Sequence, residues 1–383
     1  MRKRLKQLAL PIVAALLAMI CAASLLVYGH LAGLLDSQRQ YERWQGDSEM
    51  NFSQLSFFMS VDEKLSLEQI YSFRTAMMNK FHEAALDIEG EAQLFCDAWS
   101  SFGKVNVSSS LGKGEVSVVA VGGNYFDFHP IRLLSGNYIS PDDLMKDRVL
   151  LDEDTAWLLF GGTELSGLEF RINGVPFVVA GVIEREQDFA SLKAYSSGMG
   201  IYMSYEAYNS LVSGSGGTAA AGAADGGAGQ TAEAVGINCY EVVMAEPVKG
   251  FATSLAQEKF PLGGGLMVEN SSRYDYETII KLVKAFGERS MQTHGVILPY
   301  WENAARCIED WCFALLMLAL LSSVLPLVLL TVYAVKLFRR GKDKLEDDLL
   351  PKAKEGVSEA VRVRQRRAWE KRQLKRKQRD KAE

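Results

Sequence analysis

Residues 147–183 read DRVLLDEDTAWLLFGGTELSGLEFRINGVPFVVAGVI, and the fold is argued outward from them. Two short apolar runs, LEFRI (Leu168–Ile172) and VPFVV (Val175–Val179), are joined by Asn173–Gly174. Asn-Gly suits a two-residue hairpin turn because both of its positions tolerate a positive φ. Upstream, RVLL (Arg148–Leu151) reads as a strand. Asp152 then stands where a carboxylate can cap a helix, and Glu153 and Asp154 follow in a first turn whose dipole favours acids. That helix runs through Trp157 and Leu159 and stops at Gly161–Gly162. The acidic trio is read as cap and dipole partners rather than as a metal cluster.

On either side of this β-rich unit the pattern changes. Asn51–Met59 is a plausible strand, and Ser66 and Gln69 have the spacing of a capping box. Leu67, Ile70, Phe73, Met77, Phe81 and Ala84 then recur at helical spacing. Glu115–Val121 (EVSVVAV) is a strand with Val105–Val107 as its hairpin partner. Beyond the unit, Ile237–Ala245 is a strand, and Pro247 opens a helix through Phe251 and Leu255. Gly263–Gly265 make a turn, Leu266–Val268 a short strand, and Tyr274–Met291 a helix carrying Ile279, Ile280, Val283 and Phe286. The order is βαβ, insertion, βαβ, which is that of a split ferredoxin-like lobe interrupted by a second lobe. Residues 213–236, rich in Gly, Ala and Ser, read as a flexible linker with little to bury.

Two segments exceed anything a soluble domain needs. Leu8–Tyr28 and Trp311–Val335 carry no charge, and each reaches the roughly 20 apolar residues that span a bilayer. The first is longer than the apolar core of a cleaved signal, which runs about 7–15 residues, so an uncleaved anchor is expected. Arg2, Lys3, Arg4 and Lys6 precede the first span, and Lys336, Arg339, Arg340, Lys342 and Lys344 follow the second. By the positive-inside rule both termini are cytoplasmic and residues 30–310 lie outside. The net charge of -5 over 383 residues hides this segregation: residues 1–6 carry +4, residues 336–383 carry +9, and the remainder carries -18. With 48% hydrophobic residues the chain is not a disordered one.

The expected architecture is therefore α+β, with two transmembrane helices flanking a bilobed extracytoplasmic domain. That domain is a split ferredoxin-like βαβ lobe with an inserted small β-rich lobe. In numbers, 1–7 is cytoplasmic, 8–28 is the first span, and 30–123 is the first half of lobe one. Lobe two is 124–212, the linker 213–236, and the second half of lobe one with a membrane-proximal connector is 237–310. The second span is 311–337 and the basic cytoplasmic tail 338–383.

The stretch Asn124–Glu184 resembles the periplasmic core domain of MacB/FtsX-type ABC transporter permeases. The resemblance rests on Asn124–Phe126, Leu133–Gly136, Val149–Asp152, Ala156–Gly161 and Gly167–Ile183, taken in order. It extends over roughly residues 1–337 when the flanking apolar helices are counted. It implies two extracytoplasmic subdomains, no cofactor and no catalytic residue, with energy supplied by a separate ATPase. Permeases of this family have four or more spans. Two spans and no Walker motif here imply a non-catalytic membrane subunit of an ABC-type export or cell-envelope system in the bacterial cytoplasmic membrane. The partners implied are a full-length FtsX-type permease, a separate ABC ATPase subunit and membrane lipids, with homo-oligomers left open. The alternative is an envelope sensor or scaffold not coupled to an ATPase.

Chemistry is sparse. His30, His82, His129 and His294 are scattered without metal-ligand spacing, and no G-x-S-x-G element occurs, so neither an enzyme nor a metal site is expected. Cys96 and Cys239 could form a disulfide only if the fold brings them together. Tyr300, Trp301 and Trp311 mark a membrane-proximal connector, read either as aromatic-belt anchors or as part of a rigid lever. In the tail, Arg364, Arg366, Arg367, Lys371 and Arg372 form a basic run suited to anionic headgroups. Contact with a cytoplasmic ATPase, and service only as a solvated, topology-enforcing tail, are the other readings. Nucleic acid is not an expected partner because no recognition module accompanies the run.

Overall fold

The structure, a computed structural model, describes residues 2–84, 86, 94–195, 199–213, 235–285, 292–293, 295–344 and 350–379. Most of the Gly/Ala/Ser segment lies outside them. Two units are distinguished, residues 26–316 on one hand and residues 1–25 with 317–383 on the other.

Helix α1 (Arg2–Ala32) carries the first apolar segment. A short α2 (Gln40–Gln45) leads into strand β1 (Phe52–Phe58). Helix α3 (Leu67–Glu83) starts on the expected capping box: Ser66 Oγ accepts from the Gln69 amide, and Gln69 Oε1 accepts from the Ser66 amide. Strands β2 (Phe95–Ser108) and β3 (Lys113–Gly123) form a long hairpin with Val105 opposite Val116. A one-turn α4 (Tyr125–Phe128) precedes β4 (Leu133–Gly136), β5 (Arg148–Asp152) and α5 (Glu153–Phe160). Asp152 Oδ1 accepts from the Thr155 amide at 2.8 Å, and Gly161 ends the helix with φ 72°. Strands β6 (Glu169–Ile172) and β7 (Val175–Ile183) are the hairpin read from the sequence. Its turn has φ 47° at Asn173 and 86° at Gly174, the two positive values that a type I′ turn requires.

Then come α6 (Phe189–Ala194), β8 (Gly200–Ser204), α7 (Tyr205–Val212), β9 (Cys239–Ala245), α8 (Phe251–Lys259) and β10 (Leu266–Glu269). Helix α8 begins four residues later than Pro247, because Gly250 sits at φ 88° and so cannot be helical. The chain closes with α9 (Tyr276–Ala285), the small pair β11 (Gln292–Thr293) and β12 (Val296–Ile297), then α10 (Tyr300–Lys344) and α11 (Leu350–Arg379).

In residues 26–316 the strands β10, β1, β9 and β2 lie side by side in that order, all antiparallel to their neighbours. Two βαβ halves, β1–α3–β2 and β9–α8–β10, thus interleave as in the split ferredoxin-like arrangement. The sheet continues from β2 through β3, β8, β5 and β7, and β6 then pairs with both β7 and β2. Strands β2, β3, β8, β5, β7 and β6 therefore close into a small barrel, with β4 left as an edge strand on β7. The first part of β2 pairs with β9, and its end pairs with β6. One strand serves both lobes.

Helices α3 and α8 cover one face of the ferredoxin-like sheet. Phe57, Phe73, Tyr240 and Phe260 cluster there, with the Phe57 and Phe260 rings stacked at 3.9 Å between centroids. Such pairs add about 0.5–1.5 kcal/mol beyond the area they bury. Strands β1 and β9 are nonetheless buried along their whole length, so their other face is covered too. That second face carries Gln54, Ser56 and Glu241, all buried. The same register answers the cysteine question. Cys96 lies opposite Val243 and Cys239 opposite Ser100. The two thiols are thus four positions apart on neighbouring strands, about 13 Å along the strand. A disulfide needs Cα atoms within about 7 Å, and both cysteines are free.

Among the described residues two helices are long and apolar enough to cross a membrane, with candidate spans at Ala9–Ala32 and Tyr300–Lys342. In the second, the helix is continuous from the domain residue Tyr300 through Pro326 to Lys344.

Candidate functional site

The polar face of the sheet receives the root of α10. Along its first four turns Trp301, Ala304, Ala305, Ile308 and Cys312 are buried, at the spacing of a helix face set against a core. At the edge of that stripe stand Glu302 and Glu309, two turns apart and 1% and 7% exposed. Charges so deep in a domain need partners. The partner is Arg273, in the turn between β10 and α9. Its Nη1 and Nη2 donate to the two oxygens of Glu302 at 2.7 and 2.8 Å, and its Nε donates to Glu309 Oε1 at 2.5 Å. Nη1 also reaches Gln38 Oε1 at 3.0 Å, and Arg306 Nε donates to Glu302 at 3.0 Å. Burial opposes the charge on Arg273, but Glu302 and Glu309 outweigh it and hold its pKa well above the ordinary guanidinium value. The bidentate fork fixes both position and orientation.

The network continues into the sheet. Arg273 Nη1 donates to Asn270 Oδ1 at 3.3 Å, and Asn270 Nδ2 donates to Ser56 Oγ at 2.7 Å. Ser56 Oγ donates to Glu241 Oε1 at 3.0 Å, and Glu241 Oε2 lies 2.6 Å from His129 Nε2. A continuous buried polar chain thus links His129, just after α4, to the helix that carries the second apolar segment. His129 also packs against Trp301, with ring centroids 4.5 Å apart.

Beside this root lies a cavity of about 630 Å³, lined by Phe102, Ser117, Asp152, Arg185, Tyr202 and Tyr300 among others. The Tyr195 and Tyr300 rings stack at 4.2 Å, and the Tyr300 hydroxyl donates to Glu186 at 2.9 Å. Asp152 is paired with Arg185 at the cavity wall. Burial raises the carboxyl pKa of Asp152, while Thr155 and Arg185 pull in the opposite direction. Among the described residues no cluster of three or more His, Cys, Asp or Glu side chains is arranged to hold a metal ion.

Trp301 sits inside the domain, and Tyr300 is half-buried at the cavity wall. Trp301 is 2% exposed and touches Phe102, Tyr125 and His129, so its indole is not available to lipid headgroups and the belt reading does not hold for it. Trp311, 50% exposed, is free to take that role. The structure brings Tyr300 and Trp301 together with one another but not with Trp311, which lies three turns along α10. Arg364, Arg366, Arg367, Lys371 and Arg372 are exposed on α11, with Arg364, Arg367 and Lys371 at i, i+3 and i+7 along one side. Arg273, Glu302, Glu309 and the His129–Glu241 pair were not singled out from sequence. One signal was present: two acids seven residues apart, flanking an alanine-rich apolar stripe just before a span.

Residues 60–235 match the family of the MacB-like periplasmic core domain. Among solved structures, the extracellular domain of the noncanonic ABC-type transporter YknZ from Gram-positive bacteria aligns at 15% identity and TM-score 0.34, over 55% of this chain and 92% of its own. The periplasmic region of MacB from Actinobacillus actinomycetemcomitans aligns at 14% identity and TM-score 0.36, over 60% of this chain and 92% of its own. No curated protein matches the chain. The family match bears out the resemblance to MacB/FtsX-type permeases read from Asn124–Glu184. A periplasmic-type core domain between two helices able to cross a bilayer describes a membrane protein with an extracytoplasmic domain.

Proposed function

We propose that this chain is a non-catalytic membrane subunit of an ABC-type export or cell-envelope system. Its domain contacts substrate or partner proteins and relays their movement along α10. The observation that carries this reading is the root of α10. The helix that runs unbroken from Tyr300 to Lys344 is held in the domain at its root by Arg273, bidentate on Glu302 and through a single bond on Glu309. Oriented charges that grip the first turns of the helix make that root move with its domain, which is where a relay would begin. The cavity beside the root is the natural place for a partner or substrate group to act on that grip. Both termini are cytoplasmic in this reading, and the basic face of α11 meets anionic lipid at the inner leaflet.

In this reading the partners are an ABC ATPase and a complete permease. Cross-linking in native membranes followed by affinity capture of this chain tests the proposal. Recovery of an ATPase together with a polytopic permease is the expected result. Capture that repeatedly yields neither overturns it and leaves the sensor or scaffold reading.

A further inference from the structure

We infer that α9 is a membrane-surface helix whose exposed apolar stripe is seated in the lipid leaflet facing the domain. At about 100° per residue, Leu282 and Ile279 fall at one edge of its apolar arc. Val283, Tyr276 and Ile280 occupy the centre and the far edge, and Glu277, Lys284 and Lys281 lie beyond them. The domain covers only the first edge. Ile279 is fully buried and Leu282 half-buried, whereas Tyr276, Ile280 and Val283 are 54%, 46% and 56% exposed. A contiguous apolar stripe of this kind on a short helix needs an occupant.

The occupant follows from what α9 touches. The ring of Tyr276 lies 5.1 Å from that of Tyr28, inside the candidate span Ala9–Ala32. Tyr28 donates to the carbonyl of Tyr274 at 2.6 Å, and the Tyr274 hydroxyl reaches the carbonyl of Ala305 on α10 at 3.4 Å. The start of α9 is therefore tied to both helices, at a point of α1 four residues before its candidate span ends. The exposed apolar residues Leu26 and Val27 adjoin Tyr28 on α1, so the stripe meets the span at an apolar stretch. Lys281 and Lys284, exposed beside the stripe, can lay their stems along it and place their ammonium groups among lipid phosphates. The inference rests on α1 and α10 as spans and is independent of the transport reading.

The test is photo-crosslinking of the full-length chain in phospholipid bilayers, with benzoylphenylalanine placed at Ile280, at Val283 or at Leu144. Leu144 is 98% exposed on the barrel lobe and sets the background. Adducts of phospholipid mass at 280 and 283, several-fold above those at 144, are expected. Equal yields at all three positions overturn the inference. Protein adducts replacing lipid adducts at 280 and 283 in native membranes also overturn it, in favour of a protein partner on that stripe.

Discussion

Arg273 is the residue on which the root of α10 depends. It is 3% exposed and pairs with two buried carboxylates, so its removal takes the two-pronged partner from Glu302, which keeps Arg306, and the Nε bond from Glu309. Replacing one member of a buried ionic group typically costs about 3–5 kcal/mol, because the remaining charge is left without compensation. Arg273→Ala is expected to lose stability in that range by urea unfolding in detergent, whereas Arg132→Ala, at an exposed pair with Glu184, is expected to lose less than about 1 kcal/mol. Equal losses in the two variants would show that Arg273 carries no special weight. The spacing of Glu302 and Glu309 was visible in the chain, but their pairing with Arg273 was not. Arg273 and Glu302 are 29 residues apart with a helix and a hairpin between them, and no local rule pairs them. Trp301 shows the opposite difficulty. An aromatic residue beside an apolar segment reads as an interfacial anchor, but the helix face it shares with Ala304, Ala305 and Ile308 turns it into the core.

At the scale of elements, the local rules succeeded where a short stretch carries its own geometry. The Ser66–Gln69 box, the Asp152 cap and the Asn173–Gly174 turn are each fixed by neighbours within four residues. Strand β8, GIYMS, went unread because five residues flanked by a helix on each side offer no alternation long enough to recognise. Two glycines separate backbone freedom from packing. Gly174 has φ 86° with open space around it, so Gly174→Ala bears only the left-handed penalty of about 1–2 kcal/mol. Gly136 has φ 76°, and a Cβ there would lie 2.1 Å from the carbonyl oxygen of Ala180 on β7. Gly136→Ala is expected to cost about 1–3 kcal/mol more than Gly174→Ala, through forced displacement of the β4–β7 pairing. Thermal denaturation of the two variants side by side measures the difference, and an inverted order would refute the packing argument.

At the scale of the whole molecule, the βαβ, insertion, βαβ order was readable, and the strand neighbours β10, β1, β9 and β2 follow from it. The closure of the barrel was not. It depends on Val107 meeting Ile172 and Ser108 meeting Arg171, contacts more than sixty residues apart in the chain. Because β2 belongs to both lobes, neither can lose its strands without opening the other. Tryptophan fluorescence and far-UV circular dichroism are expected to report one coincident unfolding transition for the domain. Two separated transitions would mean that the lobes melt independently in spite of the common strand. The common strand also limits how such a protein can be recombined. A graft that exchanges the barrel for a relative's must carry residues 95–108 with it and must therefore import half of an interface with β9. New ligand specificity is then more readily reached by changing loops and cavity walls than by trading lobes as cassettes.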